Sequence, residues 1–208
     1  MGVTENLIAR GRAGKASGAC LCEAVDGALR LAVLLRPGVP MGHLMGLRSV
    51  CALGALDALR EKSPAATLAW PGDVVLVDGD GHATSELCRL NVHAGTGEAG
   101  MFAVCEATCA GLLSEKDAEP LARAICARVD AWAADVRAGR GAAGPLAPIL
   151  SEFFDDLALM GREASVVYPN GRVAAAGTLT AVDVWGRATV HLADGRELVI
   201  SPEQASLR

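Results

Sequence analysis

The spacing of hydrophobic and polar positions divides this chain into two regimes. Between residues 20 and 37, "CLCEAV" and "LRLAVLLRP" are short apolar runs that read as neighbouring strands, the second closed by Pro37, which cannot donate to a ladder. From Met41 to Lys62 the period becomes helical, with Leu44, Leu47, Cys51, Ala55 and Leu59 on one face, and a core-packed helix is expected. "TLAWPGDVVLVDGDGH" reads as a strand interrupted at Pro71 and resumed over 73–77, followed by a tight Asp-Gly-Asp-Gly turn and a returning strand in "ATSELCRLNVH". Gly95 to Gly100 read as a loop before the strand-like "MFAVCEATCA". Ser114 to Val136 reads as a long helix with Ser114 as its N-cap and Asp117 in its first turn, and a further helix is expected over Leu146 to Leu159. After Gly161 come short β runs with turns at Asn170-Gly171, Trp185-Gly186 and Asp194-Gly195. Four or five strands within about 45 residues leave room only for hairpin neighbours, as in a small closed barrel.

These elements predict an α+β fold: a mixed, mostly antiparallel sheet packed with helices over residues 1–160, and a small C-terminal β-barrel over 161–208. With 208 residues and 51% hydrophobic content, the chain can bury a sizeable core. A formal net charge of -5 and 3% aromatic residues argue against a nucleic-acid partner, which would need a basic footprint or stacking platforms. No signal-peptide pattern and no apolar run of about 20 residues is present, so no membrane association is expected. The seven cysteines, an odd number without zinc-site spacing, read as small buried hydrophobes in a reducing, cytoplasmic setting.

Against this background "ARGRAGKASGA", residues 9–19, gathers Arg10, Arg12 and Lys15 among small residues. A flexible glycine-bearing loop with guanidinium groups can close over a carboxylate or phosphate; on this stretch alone, a solvated basic turn is the stronger reading.

Four fragments, taken in order, resemble the biotin protein ligases. "RGRAGK" at 10–15 resembles that family's basic loop and "LLRP" at 34–37 a strand end. "AWPGD" at 69–73 resembles its central motif, and "LADGRELVISPEQASLR" at 192–208 the closing strands of its Src-homology-like barrel. The resemblance implies a biotin/lipoate ligase-like catalytic domain. It also implies ATP- and Mg²⁺-dependent joining of biotin's carboxylate to the α-phosphate, then transfer of biotin to a lysine of a biotin carboxyl carrier domain. Carried over residue by residue, Arg10, Gly11, Arg12, Gly14 and Lys15 match the loop that folds over biotin and the adenylate, with Arg12 catalytic. Trp70 and Asp73 match the central motif, Asp73 lying near nucleotide and metal; a core anchor is the alternative role for Trp70. No residue is assigned as a metal ligand.

The same resemblance exposes departures. Lys15 stands where the family has Arg, which loses the bidentate fork, and Ala13 replaces another Arg. Ala69 and Gly72 replace a lysine and an asparagine, and "GDGHATSELC" lacks the lysine expected there, leaving His82 as a substitute or as a turn residue. Glu106 adds an anion where a pocket strand is expected, adverse to an anionic ligand unless it is paired. "VTEN" at 3–6 is either a displaced Ser-Thr-Asn contact or unrelated, and direct repressor activity through a DNA-binding helix-turn-helix is not expected. The expectation is therefore a ligase with impaired activity, a pseudoenzyme in the limit, or a non-catalytic descendant that binds a ligand or partner. An altered acyl substrate, as in the lipoate ligases, a ligand-free interaction module and a homodimer through sheet edges stay open.

Overall fold

The computed structural model describes residues 2–111 and 113–208. Its first element is a helix, α1 (Val3–Arg12). Strands β1 (Cys20–Val25) and β2 (Ala28–Leu35) form a hairpin over Asp26-Gly27, both at positive φ as a two-residue turn of this hand requires. A 3-10 turn (Met41–Gly46) leads into α2 (Leu47–Arg60), then β3 (Thr67–Ala69), β4 (Asp73–Val77), β5 (Ala83–Gly97) and β6 (Gly100–Ala110). Helices α3 (Ala118–Arg137) and α4 (Leu150–Asp155) follow, then β7 (Glu163–Val167), β8 (Val173–Val182), β9 (Ala188–Leu192), β10 (Glu197–Ile200) and β11 (Ser206–Leu207). No helix among the described residues is long and apolar enough to cross a membrane.

The expected α+β class is what the chain adopts. Six strands form an antiparallel sheet in the order β1-β2-β6-β5-β4-β3. Period-2 alternation sends Leu29, Leu31, Val33 and Leu35 of β2, and Ala103, Cys105, Ala107 and Cys109 of β6, into the core under α2 and α3. Gly54 lets those two helices close up, since a Cβ there would lie 2.8 Å from the Ile125 Cα. The opposite face carries a satellite core in which Leu7 of α1 packs with Ala32, Leu34, Phe102 and Val104.

The five C-terminal strands form a second antiparallel sheet, β10-β9-β8-β7-β11; its end strands β10 and β11 are not hydrogen-bonded to each other. It shares one continuous hydrophobic cluster with the first sheet. The buried Trp70 indole donates to the Gly186 carbonyl at 3.0 Å, and the Leu146 amide donates to the Val184 carbonyl at 2.9 Å.

Local readings differ from the structure where long-range pairing takes over. The stretch around Trp70 and Pro71 is a chain reversal, because Ala69 pairs with Asp73 and β3 runs antiparallel to β4. The loop expected over 95–100 shrinks to Glu98-Ala99, with Gly97 paired to Gly100. The helix expected over 146–159 is only α4, because its flanks bond elsewhere: the Leu146 amide to Val184, and the Ala158 amide to the Leu68 carbonyl at 3.0 Å. Ser114 and Asp117, expected as the N-cap and a first-turn acid of one helix over 114–136, form a reciprocal capping box on a short 3-10 turn (Glu115–Asp117), and α3 begins after it at Ala118.

Candidate functional site

The basic stretch is a helix end rather than a flexible loop. Arg10, Gly11 and Arg12 form the last turn of α1, Ala13 caps it, and Gly14 takes the left-handed conformation (φ 76°) that ends many helices. Close packing explains the two glycines nearby. Gly11 is buried, and a Cβ there would meet the Phe102 ring at 2.5 Å; a Cβ on Gly97 would meet the Arg12 backbone at 2.5 Å. The Glu98 amide donates to the Arg12 carbonyl at 2.9 Å, which docks the helix end on the β5–β6 turn.

Arg36, the arginine of "LLRP", holds this arrangement together. Its Nη2 donates to the Gly11 carbonyl at 2.6 Å and its Nε to the Lys15 carbonyl at 2.8 Å. Its Nη1 reaches the carbonyls of Ala99, Gly100 and Met101 at 3.2–3.5 Å, and the guanidinium lies over the Phe102 ring, 5.7 Å from its centroid. The planar fork thus bridges backbone from the helix end and the hairpin. Arg10, Arg12 and Lys15 are exposed and make no ion pair among the described residues; at the helix C-terminus their charges complement the dipole without any ligand.

Glu106 stands on the α1 face of the sheet and is paired. Its Oε2 accepts from the Thr4 hydroxyl at 2.8 Å and lies 3.7 Å from the His93 Nε2, while its Oε1 is 4.0 Å from the Arg30 Nε. "VTEN" therefore forms the first turn of α1, with Thr4 tying the helix to an acid on β6.

Asp73 lies elsewhere. Its Oδ1 accepts from the Arg48 Nη2 at 2.8 Å and from the Leu90 amide at 3.0 Å. Leu90 and Gly97 are seven residues apart on β5, so Asp73 and the Arg12 backbone are separated by on the order of 20 Å of strand. The structure does not bring together the cations of 10–15 and the carboxylate of 73. Beside Asp73, a cavity of about 320 Å³ opens among Leu44, Arg48, Asn91, His93, Pro202 and Glu203. A smaller one, about 170 Å³, adjoins it between Arg48, Asp73 and the 202–206 segment. The Arg48 Nε is buried there without a hydrogen-bond partner among the described residues.

Of the other residues singled out in the sequence, Trp70 is a buried anchor between the two sheets, only 3% exposed. His82 is an exposed turn residue whose amide donates to the Asp78 carboxylate at 3.0 Å. Arg36 and Arg48 were missed. The first was legible only as part of a strand-end motif, and the second as a cation within the apolar stretch that precedes the charged end of the 41–62 pattern.

No family model and no curated protein matches this chain. Solved structures do. The biotin protein ligase of Aquifex aeolicus superposes with a TM-score of 0.67 at 16% identity, over 99% of this chain and 93% of that one. A structure of that ligase in complex with biotin and ATP gives 0.60 at 16% identity, over 88% and 78%. A biotin protein ligase-like protein of unknown function from Silicibacter sp. tm1040 gives 0.62 at 19% identity, over 98% and 90%. At these identities the likeness shows a shared fold over nearly the whole chain.

Proposed function

We propose that this chain is a diverged member of the biotin protein ligase family in which adenylate-forming chemistry is impaired, and that the fold serves as a non-catalytic ligand- or partner-binding scaffold. The observation that carries this reading is the separation of the parts. Joining two anions requires cations and hydrogen-bond donors aimed at one developing charge, and removal of a single such donor commonly costs about 10²- to 10³-fold in rate. Here the cations of 10–15 sit at a docked helix end, while Asp73 lies on the order of 20 Å along β5 and shares its Oδ1 with Arg48 and the Leu90 amide. Glu106 places a further carboxylate on the sheet face under α1. The residues present therefore do not fit biotin and ATP held together at one centre.

The second reading, an active ligase, is favoured by the extent of the shared fold. Its reactants would be biotin, ATP with Mg²⁺ and a lysine of a biotin carboxyl carrier domain, with Arg12 and Asp73 as the catalytic pair. Incubating purified protein with all of these separates the two readings. Pyrophosphate at the blank level and an unmodified carrier are expected. Turnover that Arg12→Gly abolishes would restore the ligase.

A further inference from the structure

The layer between the main sheet and α2/α3 is rich in thiols. Cys51 of α2, Cys88 of β5, and Cys105 and Cys109 of β6 are all fully buried there, and Cys126 of α3 packs against the same cluster. One pair stands apart in geometry. Cys88 and Cys109 are directly opposite each other in the β5–β6 register, and their sulfurs lie 3.0 Å apart. Directly opposed residues of antiparallel strands have Cα separations of about 4.5–5.5 Å, inside the range a disulfide spans.

We propose that Cys88 and Cys109 form a redox pair that oxidation converts into a cross-strand disulfide, bolting β5 to β6 behind the strand that holds Asp73. Hydrogen peroxide is the oxidant class considered. The first thiol's sulfur attacks the O–O bond, giving a sulfenic acid and water. The second thiol then displaces the sulfenic hydroxyl, the S–S bond forms and a second water leaves. Two thiols lose two electrons and two protons, and the peroxide is reduced to two waters.

Position sets both the speed and the consequence of this step. The Cys109 contact and full burial hold the Cys88 thiol well above its ordinary pKa, so little thiolate exists near pH 7 and the closed protein reacts slowly. Access runs through local opening. The β4–β5 ladder is irregular at this point: Val74 pairs with Cys88 while Val75 pairs with Glu86, leaving Leu87 as an extra residue beside the thiol. Once one sulfur is oxidised its partner is already in contact, so closure outruns further oxidation. Two residues beyond Cys88, the Leu90 amide holds the Asp73 carboxylate, so the bond would stiffen the strand that positions it.

This inference is independent of whether ligase chemistry survives. The test treats reduced, folded protein with hydrogen peroxide, with and without sub-denaturing urea, followed by alkylation, intact mass and peptide mapping. A loss of two hydrogens, a peptide linking Cys88 to Cys109, and faster linkage in urea are expected. Closing a loop between positions 21 apart should raise Tm by on the order of 5–10 °C, reversibly with dithiothreitol. Cys88→Ala and Cys109→Ala should each abolish the link, while Cys51→Ala leaves it intact. Linkage of another pair such as Cys51 with Cys105, over-oxidation of Cys88 or Cys109 without a link, or no oxidation of either even in urea would overturn the proposal.

Discussion

Replacing Arg36 with alanine removes a side chain that bridges the end of α1 and the β5–β6 turn. Two of its contacts are short, 2.6 Å to the Gly11 carbonyl and 2.8 Å to the Lys15 carbonyl; the three through Nη1 are 3.2–3.5 Å and share one nitrogen. A hydrogen bond from a charged donor contributes about 1.5–3 kcal/mol when its partner cannot turn to water. Lys15 is exposed and its carbonyl regains water, so most of the loss falls at the partly buried Gly11 carbonyl, with a small addition from the Phe102 ring. The sum is about 2 kcal/mol in favour of undocking α1, or roughly a 30-fold larger open population. Native-state hydrogen exchange reads this directly. Amides of 6–12 should exchange about 30-fold faster, while those of Cys105 to Cys109 in the main core change little. Trypsin should cut faster after Arg10 and Arg12, because cleavage tracks the open population. Equal acceleration throughout the sheet, or none in α1, would refute the view of Arg36 as a local latch over a satellite core.

Other substitutions probe the remaining structural statements. Gly97→Ala forces a methyl against the Arg12 backbone, which has no side chain to swing away, and should cost about 1–3 kcal/mol of stability by urea unfolding. Trp70→Phe strands the buried Gly186 carbonyl and shrinks the contact between the sheets, a loss of about 2 kcal/mol, read as a lower urea midpoint. Lys62 and the Ser114 amide and hydroxyl hold the Asp117 carboxyl well below the usual carboxylate range. Its folded pKa is thus depressed, so its contribution is present above the ordinary carboxylate value and is lost as pH falls from there toward the lowered one. The stability difference between wild type and Asp117→Asn should accordingly be larger at pH 6 than at pH 3, measured by urea midpoints at each pH.

Much of the main sheet was legible because alternation and turn chemistry are local. The buried face of β2, the helical period of α2, the capping box of Ser114 and Asp117, and the Gly171, Gly186 and Gly195 turns follow from neighbouring residues alone. What failed depended on distant partners. The 9–15 stretch reads as a flexible loop because of its glycines. Yet position 11 lies in a helix and is glycine because only a residue without a Cβ can lie against Phe102, ninety-one positions later in the chain. Val3, Leu7 and Ile8, the apolar side of α1, acquire meaning only once Leu34 and Val104 are seen beneath them. The resemblance of short motifs located Arg12 and Asp73 but carried no information on whether they meet. Their separation follows from the seven residues of β5 between Leu90, whose amide holds Asp73, and Gly97, which lies against the Arg12 backbone.

The most direct test of the dispersed-site reading is calorimetric titration of the folded protein with a non-hydrolysable biotinyl-adenylate analogue, repeated on Arg12→Gly. With the cations of 10–15 docked at the Gly97 end of β5 and Asp73 engaged at its middle by the Leu90 amide, no saturable heat is expected from either protein. Saturable binding that Arg12→Gly weakens tenfold or more would contradict it, and would mean that α1 releases its last turn to close over the ligand.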